Sequence, residues 1–249
     1  MKISIITVCY NSEKTIADCI TSVVNQSYDN LEYIVIDGKS TDTTMEIIAS
    51  FGDQIFKVVS EKDKGMYDAI NKGIRMASGD IIGVLNSDDY YTDELVIEDV
   101  MSKFKEANAD ALYADLNYVD QIDTNNVVRY WKSGDYKPNS FLSGWMPPHP
   151  TFFIRKEWYL KYGEYSLELV SAADYELMLR MVLKHGARLA YLPRVIVNMR
   201  VGGMSNSSLR NRLRANKEDR KAWEMNGLTP KYYTLIFKPL RKIIQYVKR

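Results

Sequence analysis

Apolar and polar positions along this chain alternate between two rhythms. Ile3 to Val8 is a short, largely β-branched apolar run, the form of a buried strand. Asn11 or Ser12 can cap a helix after it. Ile16, Ile20, Val23 and Val24 then recur at helical spacing and give that helix one buried face. Leu31 to Ile36 reads as a second strand, ending at Asp37, and Phe56 to Ser60 as a third. Met66 to Ala77 is helical in pattern. Asp80 to Leu85 is again a strand, bounded by Gly79 and Asn86. This alternation over the first ninety residues predicts an α/β fold, a mostly parallel sheet with helices on both faces. Ligands of such sheets bind beyond the carboxyl ends of the strands. The adjacent acids Asp88 and Asp89 fall at that edge.

Composition narrows the class. The 249 residues fit one large domain, or one domain with an appendage. A hydrophobic content of 46% is enough for a real core. The net charge of +1 hides an asymmetry: from Arg210 to Arg249, twelve Lys or Arg stand against three acids. No apolar run is long enough for a transmembrane helix. The N-terminus enters a strand pattern directly, without the form of a signal peptide. Cys9 and Cys19 fit no metal or disulfide framework and read as core thiols of a reducing compartment. The expected location is the cytoplasm.

The usual nucleotide signatures are missing. Thr7 to Ser12 contains no glycine, so neither G-x-G-x-x-G nor a phosphate-binding loop follows the first strand. Paired carboxylates offer an alternative, because their hard oxygens suit Mg²⁺ or Mn²⁺, which neutralises a diphosphate. A turn with solvated acids would look the same in sequence.

Four stretches coincide in order: Ser4-Ile5-Ile6-Thr7-Val8-Cys9-Tyr10-Asn11; Tyr33-Ile34-Val35-Ile36-Asp37-Gly38-Lys39-Ser40-Thr41-Asp42; Asn71-Lys72-Gly73 with Gly79-Asp80 and Asn86-Ser87-Asp88-Asp89; and His149-Pro150-Thr151-Phe152-Phe153 with Ala173-Asp174-Tyr175-Glu176. Together they resemble the family 2 glycosyltransferases with the GT-A fold, in the branch that builds bacterial capsule, exopolysaccharide and lipopolysaccharide. The resemblance implies a single GT-A domain over residues 1–205, followed by a basic helical tail over 206–249. Three positions depart from it. Gly38 stands where many relatives carry a second acid, Lys39 where they carry glycine, and Asn86 where they carry the first acid of the metal motif.

The resemblance also implies roles. Thr7, Val8 and Tyr10 floor a nucleotide pocket, and Asp37 accepts a hydrogen bond from a uracil-like base, unless it caps Ser40-Thr41-Asp42. Asp63, Asp68, Asn71 and Lys72 wall the donor site, unless they are a solvated helix face. Asp88 and Asp89 hold the metal, and Asp88 also meets the nucleotide sugar. Asp174 is the general base, unless it serves only as a helix cap. His149 touches the diphosphate, binds metal, orients the acceptor or is structural; His185 is a helix C-cap. Among the aromatics of residues 110–150, Trp131 and Trp145 are candidate acceptor platforms, against ordinary core packing. Gly202-Gly203-Met204-Ser205-Asn206 is a candidate closing loop.

The expected activity is metal-dependent inverting transfer of a hexose or hexosamine. The donor is UDP-sugar or another nucleotide sugar; the acceptor is a saccharide or lipid-linked saccharide. The rival readings are a nucleotidyltransferase and a non-catalytic carbohydrate-binding protein on the same fold. No nucleic-acid recognition motif accompanies the basic tail. In that tail Tyr233, Ile236, Leu240, Ile243, Ile244 and Val247 recur at helical spacing among cations. This predicts a basic amphipathic helix that lies on the inner face of the plasma membrane or packs on protein.

Overall fold

All seven residues of β1, Ile3–Cys9, are buried. A strand flanked by strands on both edges and helices on both faces has no solvent side, which explains its unbroken apolar run. The computed structural model describes residues 1–202 and 209–247, with side chains from 214 to 241 in the second segment. In it, β1 pairs in parallel with β2 (Leu31–Asp37) and with β4 (Ile81–Val84). The edge strand β3 (Lys57–Ser60) adds to β2, again parallel. This is the expected half of the sheet.

Beyond β4 the directions mix. β8 (Phe153–Arg155) runs antiparallel between β4 and β6 (Ala111–Val119). β9 (Leu189–Arg200) then runs parallel to β6. β7 (Val127–Trp131) and β5 (Asp89–Tyr91) are short antiparallel additions to β6 and β9. The path is β3-β2-β1-β4-β8-β6-β9-β5, nine strands among the described residues with β7 beside β6. The 3₁₀ turn His149–Thr151 leads into β8 at Phe153.

Helices cover both faces. One face carries α1 (Ile16–Val24), α2 (Thr44–Ser50) and α4 (Val96–Glu106), packed around Ile5, Val35 and Leu112. The other carries α3 (Met66–Met76), α5 (Lys156–Tyr162), α6 (Ala173–Met178) and α7 (Leu209–Met225), around Ile6, Ile34 and Tyr113. Each such buried aliphatic contributes about 1.5–3 kcal/mol. Gly73 lets α3 sit on β1, since a Cβ there would lie 2.4 Å from Ile6 Cγ2. Cys9 and Cys19 are both buried and free, and burial pushes the Cys19 thiol up to about 12.

The amino ends of the strands are tied by one carboxylate. Glu32 accepts hydrogen bonds from Lys2 Nζ (2.8 Å), Ser78 Oγ (2.6 Å), Ser4 Oγ (2.5 Å) and Ser78 N (2.7 Å). Burial alone would raise its pKa, but these donors override it and pull the carboxyl down to about 2.

The C-terminal helices join the domain. Ala222 and Trp223 of α7 belong to the same core as α3 and α6. The last helix, α8 (Thr234–Val247), lies against the 3₁₀ turn Phe141–Ser143: Thr234 Oγ1 donates to Leu142 O (2.5 Å) and Arg241 Nε to Ser143 O (3.0 Å). Gly144 permits this approach, as a Cβ there would lie 2.4 Å from Lys238 N. The outer side of α8 leaves Ile236, Phe237 and Leu240 exposed. The expected boundary at 205/206, residues 203–206 of the expected loop, and the side chains of Ile243, Ile244 and Val247 lie outside the described residues.

Candidate active site

The loops after β1, β2 and β4 meet at the carboxyl edge of the sheet. Asn11 and Lys39 take left-handed backbone there, at φ 51° and 66°, so their chains reverse tightly. Thr41 N donates to Asn11 Oδ1 (2.9 Å), and Asn11 N to Ser40 Oγ (2.8 Å), which laces the first two loops together. Ser12 and Ser87 hydroxyls, 2.9 Å apart, join the first loop to the third.

Several motif residues turn inward. Asp37 is fully buried: Ser40 N (3.0 Å) and Ser60 Oγ (2.6 Å) donate to one oxygen, Ser40 Oγ (2.5 Å) to the other. Its carboxylate builds the turn. Thr7 is buried too, with Tyr33 OH donating to its hydroxyl at 3.0 Å, and Val8 is core. Of the expected pocket floor only Tyr10 reaches solvent, at 61% exposure. Asn71 is pinned at both ends of its amide to the Tyr165 backbone, donating to O and accepting from N at 2.9 Å each. Asp68 and Lys72 hold the preceding loop, through Lys64 N, Lys62 O and Glu61.

Asp63 stays at the cleft. A Cβ on Gly38 would lie 2.7 Å from Asp63 Oδ2 and 3.5 Å from Tyr10 Cβ. Asp63 thus fills the space that a side chain at position 38 would enter, and Gly65 N holds its other oxygen at 2.8 Å.

After β4, Asp89 N closes a turn onto Asn86 O (3.0 Å). Asn86 Nδ2 lies 3.4 Å from Asp89 Oδ2 and 3.2 Å from His149 Nε2. Asn86 Oδ1 and Asp89 Oδ1 are buried and receive no hydrogen bond. Burial, and then the neighbouring Asp88, pushes the Asp89 carboxyl well above the usual carboxylate range. Burial raises Asp88 as well, opposed by His149 and Arg200. Asp88 is partly exposed, whereas Asp89 stands buried behind it. Two orphaned hard oxygens beside a reachable carboxylate fit a Mg²⁺ or Mn²⁺ ion that completes its shell with phosphate and water. Among the described residues, no group of three or more His, Cys, Asp or Glu could hold a metal ion, this turn included.

Asp174 lies across from this turn, in the first turn of α6. The helix makes no side-chain cap bond, so Asp174 is not its cap. Its oxygens instead meet Tyr67 OH at 3.3 Å and His149 Nδ1 at 3.5 Å. At 16% side-chain exposure it remains reachable. A continuous polar chain thus runs Asp89–Asn86–His149–Asp174–Tyr67.

The two tryptophans lie elsewhere. Trp145 is 7% exposed, donates its N–H to Ser133 O (2.9 Å) and meets Phe141 and Tyr113 edge-on. Trp131 stacks on Tyr118 and packs with the cluster on the α1–α4 face. Trp145 is thus core, whereas Trp131 keeps partial exposure. His185 stacks on Tyr162 beside Gly186 (φ 72°), as a helix end. Tyr67 escaped sequence reasoning because its partner is 107 residues away; no local pattern carries that signal.

The chain is 28% identical over 182 residues to the chondroitin synthase of Escherichia coli, a match covering 72% of this chain and 26% of that protein. A curated relative with 32% identity is matched over 42% of its length, so the chain spans less than half of either. Among solved structures, TarS of S. aureus in complex with UDP-GlcNAc superposes with a TM-score of 0.71 at 21% identity, over 91% of this chain and 65% of that one. A mannosyltransferase of Pyrobaculum calidifontis, in complex with GDP-Man and Mn²⁺, gives 0.67 at 19%, over 99% and 69%. These likenesses show the GT-A fold. The family model for glycosyl transferase family 2 matches residues 4–163, and the chain belongs to that family.

Proposed function

We propose that this protein transfers a sugar with inversion from UDP-sugar or another nucleotide sugar to a hydroxyl of a saccharide or lipid-linked saccharide, in bacterial surface-polysaccharide synthesis at the cytoplasmic face of the membrane. One observation carries the reading: a reachable carboxylate, Asp174, is held by Tyr67 and His149 rather than by its own helix, opposite the acid turn after β4. The acceptor hydroxyl attacks the anomeric carbon while Asp174 takes its proton. The bond from that carbon to the diphosphate breaks, and the diphosphate leaves with the electron pair. No covalent nucleophile is needed. The His149 ring lies between the two sites, with Nε2 3.2 Å from Asn86 Nδ2 and Nδ1 3.5 Å from Asp174 Oδ2. His149 thereby orients the base.

Asp88, Asp89 and the Asn86 amide oxygen are the residues that would hold Mg²⁺ or Mn²⁺. A bound cation supplies charge to the diphosphate. Tyr10 and Asp63 are the groups left to meet the nucleotide. Neighbours solved with UDP-GlcNAc, and with GDP-Man and Mn²⁺, support a nucleotide-sugar donor and a metal. The likeness to a chondroitin synthase supports a saccharide acceptor. No helix among the described residues is long and apolar enough to cross a membrane. Membrane contact is assigned to α8, whose exposed Ile236, Phe237 and Leu240 lie between Lys231 and Arg241 and suit an anionic lipid surface. Co-sedimentation with anionic vesicles tests this; a protein that never pellets with them contradicts it.

The function itself is tested by a panel of nucleotide sugars, read by product formation and thermal stabilisation with and without Mn²⁺. At least one donor should act only with the cation. A panel without binding or turnover overturns the proposal.

A further inference from the structure

Asp174 sits on a helix with little hold of its own. α6 has six residues and no side-chain cap bond, and it runs into a π-helical stretch, Leu179–Lys184. So short a helix is marginal by itself, so its placement comes from tertiary contacts. Ala173, Tyr175, Leu177 and Met178 pack into the core, and α7 and α8, both beyond the family model's matched residues, add directional polar contacts.

Glu218 of α7 holds the chain entering α6, accepting from Ser171 N (2.7 Å), Ser171 Oγ (2.9 Å) and Val170 N (3.1 Å). Trp223 Nε1 donates to Tyr175 OH at 3.0 Å. Asn226 Nδ2 donates to Glu176 Oε1 (3.1 Å), and Glu176 is also gripped by Arg180 through two bonds of 2.9 Å. From α8, Lys238 Nζ lies 3.4 Å from the Tyr175 ring centroid and 2.5 Å from Asp219 Oδ1. Residues 171, 175 and 176 are thus anchored on both sides of Asp174, while no hydrogen bond joins its carboxylate to α7 or α8 among the described residues.

We infer that Trp223 and Lys238 are positioning residues for the base: α7 and α8 set the angle at which α6 presents Asp174 to the acceptor hydroxyl. The inference rests on the reading of Asp174 as the base. Packing alone does not require this arrangement, because apolar side chains fill such a seam without desolvating an ammonium and a carboxylate. Directional polar contacts specify one geometry. A general base needs that, since an error of about 1 Å at the reacting atoms costs on the order of 10²-fold in rate.

Two variants test it in the full-length protein. Trp223→Phe keeps an aromatic side chain and removes the N–H together with the pyrrole part of the indole; Lys238→Met keeps the stem and removes the charge. Each should lower kcat for transfer by roughly 10- to 100-fold at a temperature where the variant is fully folded, with donor KM and nucleotide affinity retained. In an Asp174→Asn background the same substitutions should cost nothing more, because they act through that carboxylate. Full turnover in Asp174→Asn alone defeats the base assignment. Loss in Asp174→Asn with unchanged kcat in both positioning variants defeats the inference and leaves the base in place. So does an equal further loss in the double variants, or a kcat loss that only follows a lowered melting temperature.

Discussion

Glu32 and Asp89 are buried carboxylates at opposite edges of one sheet, and their surroundings are opposites. At the amino edge, four donors saturate Glu32 and hold it ionised. At the carboxyl edge, Asp89 keeps an oxygen without a donor, and burial favours its neutral form. A saturated acid ties strands together. An unsaturated one is a cost to folding that a ligand can offset. Counting used lone pairs also separates Asp37, saturated at the same edge as Asp89, from Asp174, which keeps two long contacts and access to solvent.

The sharpest way to break this contrast is to remove the reachable acid. Asp174→Asn should lower transfer by about 10²- to 10⁴-fold, while nucleotide binding and melting temperature stay as in the wild type. Near-normal turnover, measured by product formation, moves the role elsewhere. Glu32 comes next. Its folded pKa of about 2 lies below the ordinary carboxylate value, so its contribution is present above about pH 4.5 and is lost as the pH falls toward 2. The full contribution is about 3 kcal/mol. Urea titrations at pH 6 and near pH 2 should show the wild type losing that much more than Glu32→Gln; equal losses would place the acid response in other groups. The smallest effect is at the nucleotide pocket. Gly38→Ala displaces the Asp63 carboxylate. It should weaken nucleoside diphosphate binding roughly fivefold, about 1 kcal/mol, with melting unchanged. Unaltered affinity by calorimetry would remove Asp63 from the pocket.

The first half of the fold was legible because β1, β2 and β4 are buried on both faces and α1 and α3 on one, so each period stands clear. Beyond β4 the strands change direction, and β5 and β8 are three residues each, too short for a period to emerge. Motifs marked the right edge of the sheet but not the orientation of their side chains. Asp37, Thr7 and Asn71 turn inward because Ser60, Tyr33 and Tyr165 meet them from distant parts of the chain. Trp145 read as a sugar platform by composition; Ser133 O and the Tyr113–Phe141 cluster claim it instead. Asp174 was legible as a helix-start acid, whereas its partners Tyr67 and His149, and its support from Trp223 and Lys238, come only with tertiary structure.

In the proposed mechanism the acids divide the work, Asp88 with Asp89 at the diphosphate and Asp174 at the acceptor. Calorimetric titration with UDP, with and without Mn²⁺, compares the wild type, Asp88→Asn and Asp174→Asn directly. The wild type and Asp174→Asn should bind with equal affinity and only with the cation present, and Asp88→Asn should lose that binding while remaining folded. Cation-dependent binding by Asp88→Asn at wild-type affinity would contradict the claim.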